Sequence, residues 1–167
     1  MGEVGVEIMP AGKEDLEVMV GLMKELADHH VGLDVSFEYN EGWEEIWREF
    51  VEEQIENDED LVLKAVVEGK VVGFVSGVIG SRPVFRVARR GIIQNIVVRR
   101  EYRGRGIGRR LVEAALAWFR ERDVGQVDVD VAIANEGGVE FWKRLGFVPY
   151  MLQMKRMLEG EGRGRQK

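Results

Sequence analysis

The chain has 167 residues, and its 30 acidic and 24 basic side chains give a formal net charge of −6 at pH 7. It contains no cysteine, which excludes disulfide bonds and thiol catalysis and is typical of an intracellular protein. The N-terminus has no signal-peptide pattern, and no apolar run reaches the roughly 18 residues of a membrane span, so we expect a cytoplasmic protein without membrane contact. The acidic balance argues against nucleic acid as a partner.

The length predicts one domain, over residues 1–158, and a polar, glycine-rich tail over residues 159–167 that we expect to be disordered. In the first half of the chain, the spacing of apolar residues predicts a strand, two helices and two further strands. These elements are Val4–Met9, Lys13–His30, Glu41–Asn57, Leu61–Val67 and Val71–Ile79.

The two predicted helices differ in their polar residues. His30 falls on the apolar stripe of the first helix, so it is either a histidine at the edge of the core or, with Asp34 of the following loop, part of a substrate site. The second helix has a strongly acidic face, which is either a solvated surface or an attractant for a polyamine or a basic peptide. Its predicted buried residues are Trp43, Ile46, Trp47, Phe50, Val51 and Ile55.

The most informative stretch runs from Ile93 to Leu111. An apolar strand ends at Val98, glycines follow at positions 104, 106 and 108, and an amphipathic helix begins near Ile107. A glycine-rich turn between a strand and a helix directs backbone N–H groups towards the positive end of the helix dipole, where phosphate binds well. Six arginines between positions 99 and 110 favour a polyanionic ligand over a tight turn with solvated arginines.

Two common phosphate loops do not match this stretch. A Walker loop ends in Gly-Lys-Ser/Thr, whereas this chain has Gly108-Arg109-Arg110, and a dinucleotide fingerprint would lack its last glycine here. The pattern Arg103-x-x-Gly106-x-Gly108 instead resembles the R/Q-x-x-G-x-G/A signature of the GCN5-related N-acetyltransferases (the GNAT superfamily). In that family the loop amides hold the pyrophosphate of acetyl-CoA.

The C-terminal part of the chain continues the alternation of strands and helices. The pattern predicts a strand over Gln126–Ile133, a helix capped by Asn135 and stopped by Gly146, and a final strand over Phe147–Arg156.

The segment from Asn135 to Phe147 is similar to the pattern N-x-x-A-x-x-F/L-Y-x-K/R-x-G-F of the same family. It departs from that pattern at Gly138, where alanine is usual, and at Trp142, where the family has a tyrosine that often protonates the leaving thiolate. An indole cannot transfer a proton near neutral pH, so water or Tyr150 would have to serve, or no acid is needed.

The resemblance implies an α/β (α+β) fold: a mixed, mainly antiparallel, twisted sheet with helices on both faces and a central pair of strands that splay apart. The pantetheine arm of acetyl-CoA would lie in that gap, with no metal involved. The cofactor residues that the resemblance implies are Ile96, Val97, Val98, Arg103, Gly104, Arg105, Gly106, Ile107, Gly108, Arg109, Asn135, Phe141 and Trp142.

The implied reaction is direct transfer of an acetyl group from acetyl-CoA to a primary amine of a small molecule or a protein, because no cysteine can carry an acyl intermediate. In the family's arrangement, Gln94 and Asn95 would lie near the reacting carbon. Asp130 is the candidate general base; the alternative is a carboxylate on a solvated strand face or in a salt bridge with a neighbouring arginine. Similar N-terminal acetyltransferases carry a catalytic glutamate there, and burial beside Asp128 would make Asp130 a better base.

Two other functions stay open. Gln94 and Trp142 would also suit an acyl-CoA-binding sensor that has lost catalysis. The arginine cluster alone would suit a nucleotide- or nucleic-acid-binding module, which the acidic charge of the whole chain disfavours. The acceptor amine does not follow from the sequence. Dimers are common among members of the family, so a homodimer is compatible with the resemblance.

Overall fold

A computed structural model describes residues 5–158; Val4 and the predicted tail, residues 159–167, lie outside the described residues. The described chain contains five strands: β1 (Val6–Pro10), β2 (Leu61–Val67), β3 (Lys70–Ser81), β4 (Arg89–Val98) and β5 (Gln126–Val129). They form one sheet in the order β1-β2-β3-β4-β5. Neighbouring strands are antiparallel except β4 and β5, which are parallel, so the predicted mixed, mainly antiparallel sheet is confirmed.

Four α-helices cover the two faces of this sheet: α1 (Leu16–Val31), α2 (Trp43–Glu56), α3 (Ile107–Arg120) and α4 (Glu136–Arg144). Successive residues of a strand point to opposite faces, and β3 shows this directly. Phe74 belongs to the hydrophobic core that α1 and α2 form with the sheet, whereas Val75 belongs to the core formed by α3 and α4. The predicted helices on both faces are therefore confirmed.

The prediction of a final strand over Phe147–Arg156 is wrong, because residues 147–158 have no regular secondary structure. Pro149 has no N–H group to contribute to a strand ladder. Two polar contacts hold the segment instead. Arg90 donates a hydrogen bond to the hydroxyl of Tyr150, and the ammonium group of Lys155 binds Asp34. The strand predicted over Gln126–Ile133 is also shorter, since β5 ends at Val129.

The predicted buried face of α2 is wrong in two of its residues. Ile46 and Phe50 are 67% and 44% exposed, while Gln54 is only 3% exposed. The stripe that meets the sheet runs through Trp47, Val51 and Gln54, at helical spacings of four and three residues. The apolar sector of α2 is wider than its contact surface, and packing decides which part of that sector is buried.

The acidic face of α2 is largely a structural surface. Four of its six carboxylates form ion pairs, mostly with residues of or beside α1, which ties the two antiparallel helices together. The pairs are Glu44 with Lys24 at 3.4 Å, Glu45 with Arg48 at 3.5 Å, and Glu52 and Glu56 with Lys13, the first of these at 3.2 Å.

Within residues 5–158, no helix is both long enough and apolar enough to cross a membrane. The same residues contain no group of three or more histidine, aspartate or glutamate side chains placed to share a metal ion.

Candidate functional site

A cleft opens where the two central strands part. The pairing of β4 with β5 ends at Ile93 and Val129, and β4 continues without β5 as far as Val98. On its other side, β4 stays paired with β3 to the end. The N–H of Arg99 donates to the carbonyl of Val72 at 2.8 Å. In an antiparallel ladder the hydrogen-bonding direction alternates from residue to residue, so the backbone groups of Ile96 and Val98 face the cleft.

A β-bulge lies at the base of this cleft. Asn95 pairs with Ser76 and Ile93 pairs with Gly77, so Gln94 is an extra residue in β4. The bulge turns both Gln94 and Asn95 towards the face of α1 and α2. Asn95 donates to the Ser76 hydroxyl at 3.0 Å, and Gln94 accepts a hydrogen bond from Gln54 of α2 at 2.8 Å.

The glycine-rich loop follows β4 at the open end of the cleft. Gly104 and Gly106 have φ of +74° and +76°, a left-handed conformation that other residues rarely adopt. The first helical hydrogen bond of α3 runs from the N–H of Arg110 to the carbonyl of Gly106. The preceding N–H groups, of Ile107, Gly108 and Arg109, therefore have no partner within the helix and lie at its positive end, the arrangement that an anion-binding site requires.

Two contacts fix the loop in place. The side chain of Ile107 is buried in the core of α3, and the Nε of Arg103 donates to the carbonyl of Val98 at 2.8 Å. Arg103 thereby joins the loop to the end of β4 and occupies the carbonyl oxygen of Val98. The N–H groups of Ile96 and Val98 and the carbonyl of Ile96 remain as the backbone groups directed at the cleft.

The helix α4 lies beside this loop, so the structure brings the two sequence motifs together. A Cβ at Gly108 would lie 3.4 Å from the ring of Phe141. Asn135 caps α4 by accepting from the N–H of Gly138 at 3.0 Å. A Cβ at Gly138 would lie 2.6 Å from the Nδ2 atom of Asn135, so the folded-back side chain of Asn135 would have to shift to admit an alanine there.

Trp142 is a core residue. It is 6% exposed, and its ring packs edge-on against Phe147 with the ring centroids 4.9 Å apart. Tyr150, the alternative proton donor, is bound to Arg90. Arg90 pairs with Gln126 at the far end of the β4–β5 ladder from the cleft. The hydroxyl of Tyr150 is thus engaged by Arg90, and the indole of Trp142 cannot transfer a proton near neutral pH.

Asp130 follows directly after β5 and is exposed, so the expectation that it is buried beside Asp128 is wrong. Asp128 is neutralised by an ion pair with Arg90 and accepts from Gln126 at 2.7 Å. The burial on which the choice of Asp130 as a base depended is therefore absent, and the carboxylate of Asp128 is engaged by Arg90.

His30 and Asp34 lie at the end of α1 and in the loop after it. His30 is half-buried on the apolar face as predicted, and burial, with a smaller effect of His29, lowers the pKa of its imidazole. The ammonium of Lys155, with hydrogen bonds from Ser36, lowers the pKa of Asp34 to about 2. The structure thus pairs Asp34 with a lysine of the C-terminal segment.

Sequence reasoning missed Gln54 and Lys155, which contact Gln94 and Asp34 respectively. Gln54 had a signal, since it lies seven residues after Trp47 and therefore two helical turns along the same face. No sequence pattern pointed to Lys155, because its partner Asp34 lies in a loop that is distant in the chain.

The sequence profile of the acetyltransferase (GNAT) family matches residues 23–147. The chain belongs to this family. It is 36% identical over 95 residues to an uncharacterized N-acetyltransferase of Methanocaldococcus jannaschii, covering 56% of this chain and 41% of that protein. It is 32% identical over 88 residues to N-alpha-acetyltransferase 30 of Schizosaccharomyces pombe, covering 52% of this chain and 59% of that protein. The chain thus spans roughly half the length of these relatives.

A solved structure of an aminoglycoside N-acetyltransferase in complex with CoA has the same fold. It superposes with a TM-score of 0.75 at 20% identity, covering 93% of this chain and 95% of that one. With family membership established, the glycine-rich loop and the cleft of this GNAT protein can be interpreted as parts of one site.

Proposed function

We propose that this protein transfers an acetyl group from acetyl-CoA to a primary amine. The proposal rests on two neighbouring sets of backbone groups that have no hydrogen-bond partner in their own helix or sheet. The unpartnered N–H groups at the start of α3 suit the pyrophosphate, and the unpaired edge of β4 beyond Ile93 suits the amides of the pantetheine arm. The arm would pair with β4 much as another strand does.

In this arrangement the acceptor nitrogen attacks the thioester carbonyl carbon directly. The carbon–sulfur bond breaks, the CoA thiolate leaves, and the amine gives up a proton. An N–H group of Ile96 or Val98 that is directed at the carbonyl oxygen would stabilise the negative charge of the tetrahedral intermediate. A donor of this kind typically contributes about 2.7–4 kcal/mol. No acyl-enzyme is needed, and the chain has no cysteine to form one.

The proton of the amine decides which acceptors this site can use. At pH 7, removing a proton from an α-amino group with a pKa of about 7.7–8.0 costs about 1 kcal/mol, whereas a lysine-like amine with a pKa of about 10.4 costs about 4.6 kcal/mol. Among the described residues, Asp15 is the only buried carboxylate, and it is bound to Lys64 at 2.6 Å. The exposed Asp130, acting through water, remains the candidate base.

A weakly assisted site is better suited to the α-amine of a polypeptide than to an alkyl amine. We therefore infer that the acceptor is a protein N-terminus, which the likeness to N-alpha-acetyltransferase 30 also supports. An aminoglycoside-like small amine is the alternative, and the likeness to an aminoglycoside N-acetyltransferase supports only the shared fold.

The test is a turnover screen with acetyl-CoA against free peptide N-termini, lysine side chains in acetyl-blocked peptides, a linear diamine and an aminoglycoside. Release of CoA with peptide N-termini at the highest kcat/KM is the expected result. Release with an aminoglycoside alone would contradict the α-amine proposal. Binding of CoA by calorimetry without turnover of any acceptor would instead support an acyl-CoA sensor.

A further inference from the structure

The face of α2 that packs on the sheet is apolar except at Gln54. Trp47 and Val51 precede it on this face, and Gln54 itself is 3% exposed. Burying an amide without hydrogen bonds is destabilising. The side chain makes one hydrogen bond in the described part of the chain, from its Nε2 to the Oε1 of Gln94 at 2.8 Å. Its own Oε1 is buried and has no partner among residues 5–158.

That hydrogen bond determines which end of the Gln94 amide is free. The Oε1 of Gln94 accepts from Gln54, so the Nε2 of Gln94, with two N–H donors, is directed away from this contact. The reverse arrangement would bury both N–H groups of the Gln54 amide without an acceptor. Unpartnered buried donors are less tolerated than one unpartnered oxygen, because an oxygen has the weaker demand for a partner. The free end of Gln94 is therefore a hydrogen-bond donor.

Gln94 lies where an acceptor would approach the cleft. It is the extra residue of the bulge, it is exposed, and it is the first residue of β4 beyond the last pair with β5. Its side chain is on the face of α1 and α2, opposite to the face on which α3 packs. An acceptor arriving from this face meets the donor end of Gln94 before it reaches the backbone groups of β4.

We propose that Gln54 is a positioning residue for acceptor selection: it holds the amide of Gln94 so that a hydrogen-bond donor is presented to the acceptor. A site with a donor beside the reacting nitrogen favours an amine with an adjacent carbonyl oxygen, as in a peptide N-terminus. It disfavours a linear diamine, which carries a second cation and no acceptor group near its amine. This inference rests on the proposed acetyl transfer and deepens it.

Two substitutions of Gln54 with similar length separate positioning from packing. In Gln54→Glu, the new carboxylate only accepts hydrogen bonds, so the Gln94 amide must turn over and expose its oxygen. In Gln54→Met, the side chain makes no hydrogen bond, so the Gln94 amide is free in both orientations. A Gln94→Met variant, at an exposed position, removes the presented donor without changing a residue of α2, although it also removes the one hydrogen bond of the Gln54 amide.

The measurement is kcat/KM for a short peptide with a free N-terminus and for a linear diamine, at saturating acetyl-CoA in mildly alkaline buffer. In Gln54→Glu we expect kcat/KM for the peptide to fall about three- to tenfold, the scale of one net hydrogen bond, while that for the diamine rises. Gln54→Met should give an intermediate peptide-to-diamine ratio, and Gln94→Met should lose the preference for peptide. The Kd for CoA, measured by calorimetry, should be the same in all three variants.

If Gln54 only contributed to packing, substituting it would lower kcat/KM for both acceptors equally. An unchanged ratio of the kcat/KM values for peptide and diamine in Gln54→Glu and Gln54→Met therefore overturns the proposal. If Gln54→Glu does not fold, Gln94→Met decides, and a parental ratio in that variant is equally fatal. A parent protein that binds CoA and acetylates no amine refutes the proposed function itself. That failure is visible before any variant is made.

Discussion

Gly106 and Gly69 have almost the same positive φ in two distant parts of the molecule. Gly106 precedes α3 with φ of +76°, and Gly69 lies in the turn between β2 and β3 with φ of +77°. At both positions, a Cβ would have no protein atom within 4 Å. Alanine should therefore destabilise the fold equally at the two positions, by about 1–2 kcal/mol from the left-handed conformation.

The two substitutions should differ in their effect on the cofactor. A methyl group at Gly106 lies beside the unpartnered N–H groups of Ile107, Gly108 and Arg109, and it would hold a phosphate away from them. A hydrogen bond to a charged group contributes about 1.5–3 kcal/mol. Losing one of them should weaken CoA binding about ten- to hundredfold. Gly69→Ala should leave the Kd for CoA unchanged.

Calorimetric titration with CoA measures the Kd for CoA, and urea unfolding of the same samples measures the free energy of unfolding. Gly108→Val is the third variant, because Gly108 is helical and its Cβ would make an ordinary contact with Phe141 at 3.4 Å. It should stay folded and bind CoA too weakly to measure. Equal CoA affinity in Gly106→Ala and Gly69→Ala, or parental affinity in folded Gly108→Val, would refute the assignment of this loop to the pyrophosphate.

His30, Asp34 and Asp130 lead to predictions of how stability and activity depend on pH. Burial, and to a smaller degree His29, lowers the pKa of His30, so the unfolded chain binds this proton more readily than the folded protein does. The contribution of His30 to the free energy of unfolding should be complete above about pH 6.5 and should be lost on acidification below it. His30→Gln should flatten that part of the plot of unfolding free energy, measured with urea, against pH. Lys155 lowers the pKa of Asp34 to about 2 from 3.8, so the contribution of Asp34 is present above 3.8 and lost as the pH falls towards 2. Lys155→Met should reduce that loss, because the hydrogen bonds of Ser36 to Asp34 remain, and an unchanged profile would mean that the contact with Lys155 is absent in solution. If Asp130 is the base, Asp130→Asn should lower kcat/KM near neutral pH by about 10²-fold or more for a lysine-like amine and by about tenfold or less for a peptide N-terminus, with a deficit that shrinks as the pH approaches the amine pKa. A loss that does not change with pH would mean that Asp130 only positions the acceptor.

The elements around the phosphate loop could be predicted from the sequence, because the signals for them are local. Glycines at 104 and 106 are needed where the backbone is left-handed, and the apolar spacing from Ile107 to Trp118 fits a helix packed on a sheet. Asn135 and Gly146 mark the two ends of α4 as predicted. Each of these signals depends only on residues within a turn or two of one another.

Only the tertiary structure decided how α2 packs, where β4 has its bulge and how the chain runs after β5, because the residues in contact there are far apart in the sequence. The rotation of α2 buries Gln54 and exposes Phe50, and this follows from packing against α1 and the sheet. The bulge at Gln94 follows from the register between β3 and β4, which strand propensity does not determine. β5 ends at Val129 and the last segment forms no strand, so Asp130 is exposed. Apolar patterning predicts which residues can be buried; the competition between long-range contacts decides which of them are.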